Sequence, residues 1–318
     1  MNFKSIFETM ISGAMPDTEI TAQLLAWEDN GITSEQLYTA ADILRAHMSL
    51  VTAPKGAIDI VGTGGDGLST YNISTACCFV VAGAGAYVAK HGNRAVSSKS
   101  GASDVLSTLG VKLDITPNQA EICIKEAGIG FLFAPNHHKA MGNVAKARAT
   151  LGVRTIFNRL GPLCNPAKVW HLLVGVYSAE LRDIYAQALM KLGTKHALIV
   201  HGKDGMDEIT ITAPTMVSEI KNGTITQYEI TPQQYGLTQA SLSDIEGGDS
   251  VENATALLAV LCDNPSAYTD IVLLNSGAAL YVSGKVSSIE DGIEQARTAI
   301  QTGAAQNCLE KLIEISNA

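Results

Sequence analysis

The chain reads as an α/β protein, with a small all-α N-terminal domain that takes in a central helical insertion and a large α/β domain with a mostly parallel central sheet. Three observations predict this. Apolar residues in roughly the first 50 positions recur at helical spacing; past Pro54, short buried-strand runs alternate with helical patterns; and the stretch 137–161 breaks that alternation with a helical, basic segment.

In chain order, Phe3, Ile6, Phe7, Met10 and Ile11 share one helical face. Ile20, Leu24 and Trp27 make the stripe of a second helix, which follows Asp17 and stops at Gly31. Thr33 and Gln36 have the spacing of a capping box, and Leu37, Ala40, Ala41, Leu44 and Met48 carry a third helix. The pattern then becomes strand 58–61, glycine turn, helix 73–84 and strand 87–89. It continues with a helix after Thr116-Pro117, strands 129–133 and 172–177, helix 179–192 and strand 196–201; segments 251–261, 268–282 and 288–315 read as helical. Strands alternating with helices imply parallel pairing. The predicted domains are 1–54, joined by about 137–162, and 55–136 with 163–318.

The 318 residues are enough to bury a large core. No apolar run reaches the roughly 18 residues of a membrane span, so no membrane association is expected. The N-terminal stretch carries Lys4 and Glu8 inside an amphipathic pattern, unlike a signal peptide, and a cytoplasmic location is expected. Cys77, Cys78, Cys123, Cys164, Cys262 and Cys308 lack metal-ligand spacing and read as reduced core residues. A formal charge of −9 argues against nucleic-acid binding, because the long-range field repels a polyanion. An anionic substrate therefore needs a local basic patch. The 31 acidic residues leave two gaps, between Asp66 and Asp104 and between Glu126 and Glu180. Those gaps hold Lys90, Arg94, Lys99, Lys139, Lys146, Arg148, Arg154, Arg159 and Lys168.

Gly62-Thr63-Gly64-Gly65-Asp66-Gly67 follows a strand, where glycines let backbone N–H groups surround an anion. The string also matches the dinucleotide fingerprint G-x-G-x-x-G. Its context argues otherwise: Lys90-His91 stand where a ribose-binding acid belongs, and Asp66 beside a phosphate calls for a bridging cation. Asn72-Ile73-Ser74-Thr75 puts small polar side chains at a helix start, suited to phosphate oxygens or a metal. The polar, basic run 90–101 follows the next strand, beside the glycine turn in a parallel sheet. Asp207-Glu208 pairs hard oxygen ligands in a glycine-containing loop with Asp204, which suits Mg²⁺ held between carboxylates and phosphates. Arg148 and Arg154, in an acid-free segment, can clamp a carboxylate. His137-His138 lacks the spacing and third ligand of a zinc site. Each motif has a plain alternative as a bare turn, a cap or a solvated loop; their order along one chain favours a site.

The ordered set GTGGDG, NIST, KHGNRAVSSKSG, APNHHKAM, VRTIFNRLGPLCNPA and HGKDGMDEI resembles the anthranilate phosphoribosyltransferase family of tryptophan biosynthesis. The resemblance implies a small helical domain hinged to a large α/β domain, a homodimer, and two small-molecule substrates, anthranilate and 5-phosphoribosyl 1-pyrophosphate. It implies that Gly62, Gly65, Asp66 and Thr70 line the phosphoribosyl pyrophosphate site, completed by Asn72, Ile73, Ser74 and Thr75. The loop of Lys90, His91, Gly92, Asn93, Arg94, Ala95, Val96, Ser97 and Ser98 closes it. Ser74, Asp207 and Glu208 would ligate Mg²⁺. Asn93 and Arg148 would contact anthranilate, with His91 and His137 along the aromatic access path. Ala102 stands where the family often has serine, which leaves any phosphate contact there to the backbone.

Displacing pyrophosphate from the ribose C1 builds negative charge on the leaving group, so stabilising that charge matters more than a strong base. Lys90, Asp207 and Glu208, with Mg²⁺, are the expected catalytic group, and no general base is assigned. A pyrimidine nucleoside phosphorylase of the same fold is the alternative within enzymes, and a dinucleotide-binding regulatory module the alternative outside them.

Overall fold

A computed structural model describes residues 2–93 and 100–318. The chain opens with α1 (Phe3–Ile11), α2 (Asp17–Asn30) and α3 (Ser34–His47). Asn2 caps α1 by accepting from Ser5 N at 3.0 Å. The Thr33–Gln36 capping box forms as its spacing predicts, with Gln36 N donating to Thr33 Oγ1 at 3.2 Å and Thr33 N to Gln36 Oε1 at 2.9 Å. Next come β1 (Ile58–Gly62), α4 (Ile73–Gly83), β2 (Val88–Gly92), α5 (Ala102–Thr108), α6 (Pro117–Glu126) and β3 (Ile129–Phe133). The segment that breaks the rhythm holds α7 (Ala134–His137), α8 (Gly142–Leu151) and α9 (Ile156–Leu160). After it come β4 (His171–Gly175), α10 (Ala179–Lys191), β5 (His196–Gly202), β6 (Thr215–Lys221) and β7 (Thr224–Ile230). The chain closes with α11 (Ser250–Leu261), α12 (Ala267–Ser283), α13 (Ile289–Gln301) and α14 (Ala304–Asn317).

Among the described residues the strands form one seven-stranded sheet in the order β3-β2-β1-β4-β5-β6-β7. β1 to β5 run parallel, and β6 and β7 add antiparallel. The chain runs outward from β1 through β2 to β3, then returns to start β4 on the other side of β1. This reversal leaves a crevice at the carboxyl ends of β1 and β4, where open α/β sheets bind ligands. α4, α12, α13 and α14 pack together on one face of the sheet, and α10 covers the other. α8 and α9 pack against α1, α2 and α3, with Phe7 and Phe157 stacked at 5.5 Å between centroids.

Three expectations change. The hairpin of β6 and β7 is absent from the sequence reading because β7 is an edge strand whose residues are mostly polar and exposed, so it shows no buried run. Its signal is Asn222-Gly223, both at positive φ (51° and 74°), the two-residue turn that favours hairpins. The helical stretch 288–315 is two helices, broken at Gly303 with φ 73°. Cys262 is exposed, whereas the other five cysteines are buried.

Candidate active site

β1 ends at Gly62, and the turn that follows is tied to the neighbouring strand. Thr63 N donates to Gly175 O at 2.9 Å, and Tyr177 N donates to Thr63 Oγ1 at 3.2 Å. Gly64, Gly65 and Gly67 all take positive φ (67°, 77° and 81°), which a side chain would strain. Within the turn, Asp66 Oδ1 accepts from Leu68 N at 3.1 Å.

The loop after β5 brings the distant acids here. Asp204 accepts from Met206 N at 3.1 Å and from Thr210 Oγ1 at 2.6 Å, and Asn275 of α12 bonds both backbone groups of Ile209, at 3.0 and 2.8 Å. Held at both ends, the loop packs on glycines. A Cβ at Gly62 would lie 2.5 Å from Asp207 Oδ2, and one at Gly175 would overlap the Asp207 carbonyl. Asp207 Oδ2 accepts from Gly64 N at 2.8 Å, and Glu208 Oε1 accepts from Ser74 N, in the first turn of α4, at 3.2 Å. Buried Lys90 reaches in from β2, its Nζ donating to Ile60 O at 2.8 Å and to Ser74 Oγ at 3.3 Å. Asp66, Ser74, Lys90, Asp207 and Glu208 thus meet in the crevice.

Burial raises the Asp207 carboxyl well above the usual carboxylate range, and the Asp66 charge beside it adds to the rise. Burial, then the Asp207 charge, pushes Glu208 up to about 8, although Lys90 pulls it down. Carboxylates that resist ionisation in the same crevice gain from a divalent cation, and oxygen ligands suit a hard one. Among the described residues no group of three His, Cys, Asp or Glu side chains has metal-binding geometry. A cation here would take Asp207, Glu208 and the Ser74 hydroxyl and complete its shell with substrate oxygens or water, as Mg²⁺ does.

The other expected phosphate contacts divide. Thr70 forms an isolated β-bridge with Glu246 at the margin of the loop. The Asn72 amide is engaged within the protein, accepting from Asn253 Nδ2 at 2.9 Å and donating to Ser100 O at 3.3 Å, and Ile73 is buried. In this state Asn72 braces the neighbouring loops, and the Ile73 N–H donates to Tyr71 O at 2.8 Å. Thr75 is buried, and its hydroxyl has no partner among the described residues. Gly92 is pressed on Phe131, whose ring would lie 2.7 Å from a Cβ. Ala102 opens α5. Arg94, Ala95, Val96, Ser97 and Ser98 lie outside the described residues.

Beyond β2 a cavity of about 410 Å³ is lined by His91, Asn93, His138, Arg148, Phe157 and Gly161, among others. The Arg148 guanidinium lies 5.4 Å from the Phe157 ring centroid, and burial lowers its pKa. His91 donates through Nδ1 to Gly161 O at 3.0 Å, and its Nε2 faces His138 Nε2 at 3.2 Å. One ring must supply the Nε2 proton and the other the lone pair. Burial, then the His138 imidazole, pushes His91 down to about 3, and burial, then the His137 imidazole, pushes His138 to about 4, so both are neutral at pH 7. His137 does not line this cavity; its Nδ1 pairs with Ser49 O at 2.9 Å. His138 lines the cavity in its place, because the short α7 turns the first histidine toward the α3–β1 connection and leaves the second facing His91. Arg148 and Arg154 do not form one clamp: Arg154 lies against Gly65 and over the Tyr177 ring.

A family model described as glycosyl transferase family, a/b domain, matches residues 54–306. The anthranilate phosphoribosyltransferase of Rhodopseudomonas palustris (strain BisB18) is 52% identical over 312 residues, covering 98% of this chain and 92% of the relative. That of Bradyrhizobium sp. (strain BTAi1) is 50% identical over 314 residues, covering 99% and 93%. The crystal structure of anthranilate phosphoribosyltransferase from Thermus thermophilus superposes with a TM-score of 0.94 at 37% identity, covering 99% of this chain and 95% of that one. The Saccharomyces cerevisiae enzyme in complex with PRPP and Mg gives 0.88 at 33%, covering 95% and 85%. Sequence identity sustained along nearly the whole length and a shared fold lead to one assignment: the chain belongs to the anthranilate phosphoribosyltransferase family of glycosyl transferases.

Proposed function

We infer that the protein transfers the phosphoribosyl group of 5-phosphoribosyl 1-pyrophosphate to the amine of anthranilate, giving N-(5-phosphoribosyl)anthranilate and pyrophosphate, the second step of tryptophan synthesis from chorismate. The observation that carries the reading is the pair Lys90 and His91 at the end of β2. Consecutive strand residues point to opposite faces. Lys90 reaches the oxygen-rich crevice and His91 the wall of the cavity with Arg148, so one strand end separates an anion compartment from an aromatic-sized one.

Ser74, Asp207 and Glu208 would hold Mg²⁺, which when bound neutralises charge on the diphosphate. Lys90 adds a fixed positive charge at the same crevice, favouring the departing pyrophosphate. Arg148 pairs with the anthranilate carboxylate and fixes the ring so that its amine faces the ribose carbon, a positioning effect. The amine is neutral at pH 7, and neutral His91 and His138 add no positive charge beside Arg148. Structures of the S. cerevisiae enzyme with PRPP and Mg, and with 4-fluoroanthranilate, support both compartments. Segment 1–54 with 137–162 is read as the small domain, closing on 55–136 with 163–318, in a cytoplasmic homodimer.

The test incubates the protein with anthranilate, 5-phosphoribosyl 1-pyrophosphate and Mg²⁺ and follows anthranilate fluorescence. Signal should fall only when all components are present. A steady signal from folded protein would refute the reading.

A further inference from the structure

Arg154 precedes Thr155, whose N–H bonds Asn158 Oδ1 at 3.0 Å in the capping box of α9, so its backbone is fixed by a helix start. Its guanidinium touches two neighbours. It stacks over the Tyr177 ring, 4.2 Å from ring centroid to Cζ. It also lies against Gly65, where a Cβ would come within 2.5 Å of Nη2, 3.0 Å of Cζ and 3.2 Å of Nε. Tyr177 is itself braced: its hydroxyl accepts from Arg159 Nε at 3.0 Å, and Arg159 pairs through both Nη atoms with Glu28.

Stacking of this kind holds a planar cation in place but uses none of its five N–H donors. Arg154 makes no hydrogen bond or ion pair with any described residue. A purely structural arginine spends its donors on carboxylates or carbonyls, as Arg159 does. Arg154 instead presents an unspent fork at the glycine turn, one residue from Gly64, whose N–H bonds the Asp207 carboxylate. The group that suits such a fork is a doubly charged oxyanion.

We propose that Arg154 is a ligand of the diphosphate of the phosphorylated substrate, completing the glycine-loop cradle from the α8–α9 side. The assignment rests on the reading of the substrate given above. It takes the diphosphate rather than the 5′-phosphate because the guanidinium sits on the turn that Asp207 also touches, and the cation-binding carboxylates mark the end where charge is densest. It also gives Gly65 a second reason to be glycine, since a side chain there would displace the guanidinium as well as strain φ.

The experiment compares Arg154→Gln, Arg154→Lys, Tyr177→Leu and Tyr177→Phe with the unmodified protein, each checked for an unchanged melting temperature. Arg154→Gln should raise KM for 5-phosphoribosyl 1-pyrophosphate and weaken inhibition by Mg²⁺-pyrophosphate by about 10- to 100-fold, the scale of lost charge-assisted hydrogen bonds. KM for anthranilate and inhibition by ribose 5-phosphate should stay within about twofold on the same scale. Arg154→Lys should recover part of the loss, having charge without a fork. Tyr177→Leu should share the direction of Arg154→Gln, and Tyr177→Phe, which keeps the ring, should not. Unchanged pyrophosphate inhibition in Arg154→Gln, equal losses for both substrates, or a shift confined to ribose 5-phosphate would overturn the assignment. Should the unmodified protein fail to consume anthranilate, the functional reading falls, and calorimetry with Mg²⁺-pyrophosphate on Arg154→Gln still decides the role of Arg154.

Discussion

His91 and His138 meet Nε2 to Nε2 at 3.2 Å and are neutral for the same reason that they meet: both are buried beside one cavity. Their folded pKa values, about 3 and about 4, lie below the ordinary imidazole value of about 6.5. The folded chain therefore binds fewer protons than the unfolded one between those limits. The resulting stability is complete above pH 6.5 and is lost as pH falls toward 4, with a slope of up to about 1.4 kcal/mol per pH unit for each ring. His138→Gln should flatten the dependence of melting temperature on pH between about 6.5 and 4.5 relative to the parent. Parallel curves would show that acid sensitivity comes from other groups, such as His137, whose pKa burial also lowers. The sequence marked His91 and His137; that His138 is the one facing the cavity depended on the turn of α7.

At the scale of elements, the decisive contact is between strand ends and the 204–210 loop. β1 and β4 both finish in glycine, Gly62 and Gly175, and both approach Asp207 too closely for a Cβ. Gly175→Ala would push the Asp207 backbone away from the crevice. The expected result is a loss of about 1–3 kcal/mol, the usual scale of overpacking, together with a several-fold rise in the Mg²⁺ concentration needed for half-maximal activity. Gly223→Ala in the β6–β7 turn is the comparison: its positive φ (74°) carries strain, but a Cβ there meets nothing within 4 Å. It should cost about 1 kcal/mol and leave the Mg²⁺ requirement alone. Equal Mg²⁺ requirements in both variants would show that the glycine contact does not position Asp207.

Across the whole molecule, α2 is linked to the end of β4 by a short polar path. Glu28 accepts from both Nη atoms of Arg159 at 2.7 Å, and Arg159 Nε bonds the Tyr177 hydroxyl on which the Arg154 stack rests. The ion pair is only partly exposed, 15% and 19% at the two side chains, so it is less screened than a surface pair. Glu28→Gln keeps the shape and removes the charge. It should lower stability by about 1–2 kcal/mol, a charge-assisted bond discounted for its remaining exposure, measured by denaturant unfolding. No change in midpoint would mean that the helical layer is held on the sheet by apolar contacts such as Phe7 with Phe157 alone.

The order of elements as far as β5, the parallel sheet and the glycine-rich turn were legible in the sequence, because each depends on local chemistry. Helical stripes, a capping box and glycines after a strand act within a few residues of one another. Membership of the family was legible for the same reason, since its motifs are short and keep their order. Tertiary structure alone decided which motifs meet. Asp207 is 143 positions from Gly64, and only the return of the chain to β4 beside β1 brings its carboxylate onto that N–H. Packing likewise separated Arg148 from Arg154, six positions apart, sending one to the aromatic cavity and the other to the glycine turn. It also spent the Asn72 amide on Asn253, 181 positions away. Such pairings are set by sheet order and by which side of a turn is buried, and neither is written in the residues nearby.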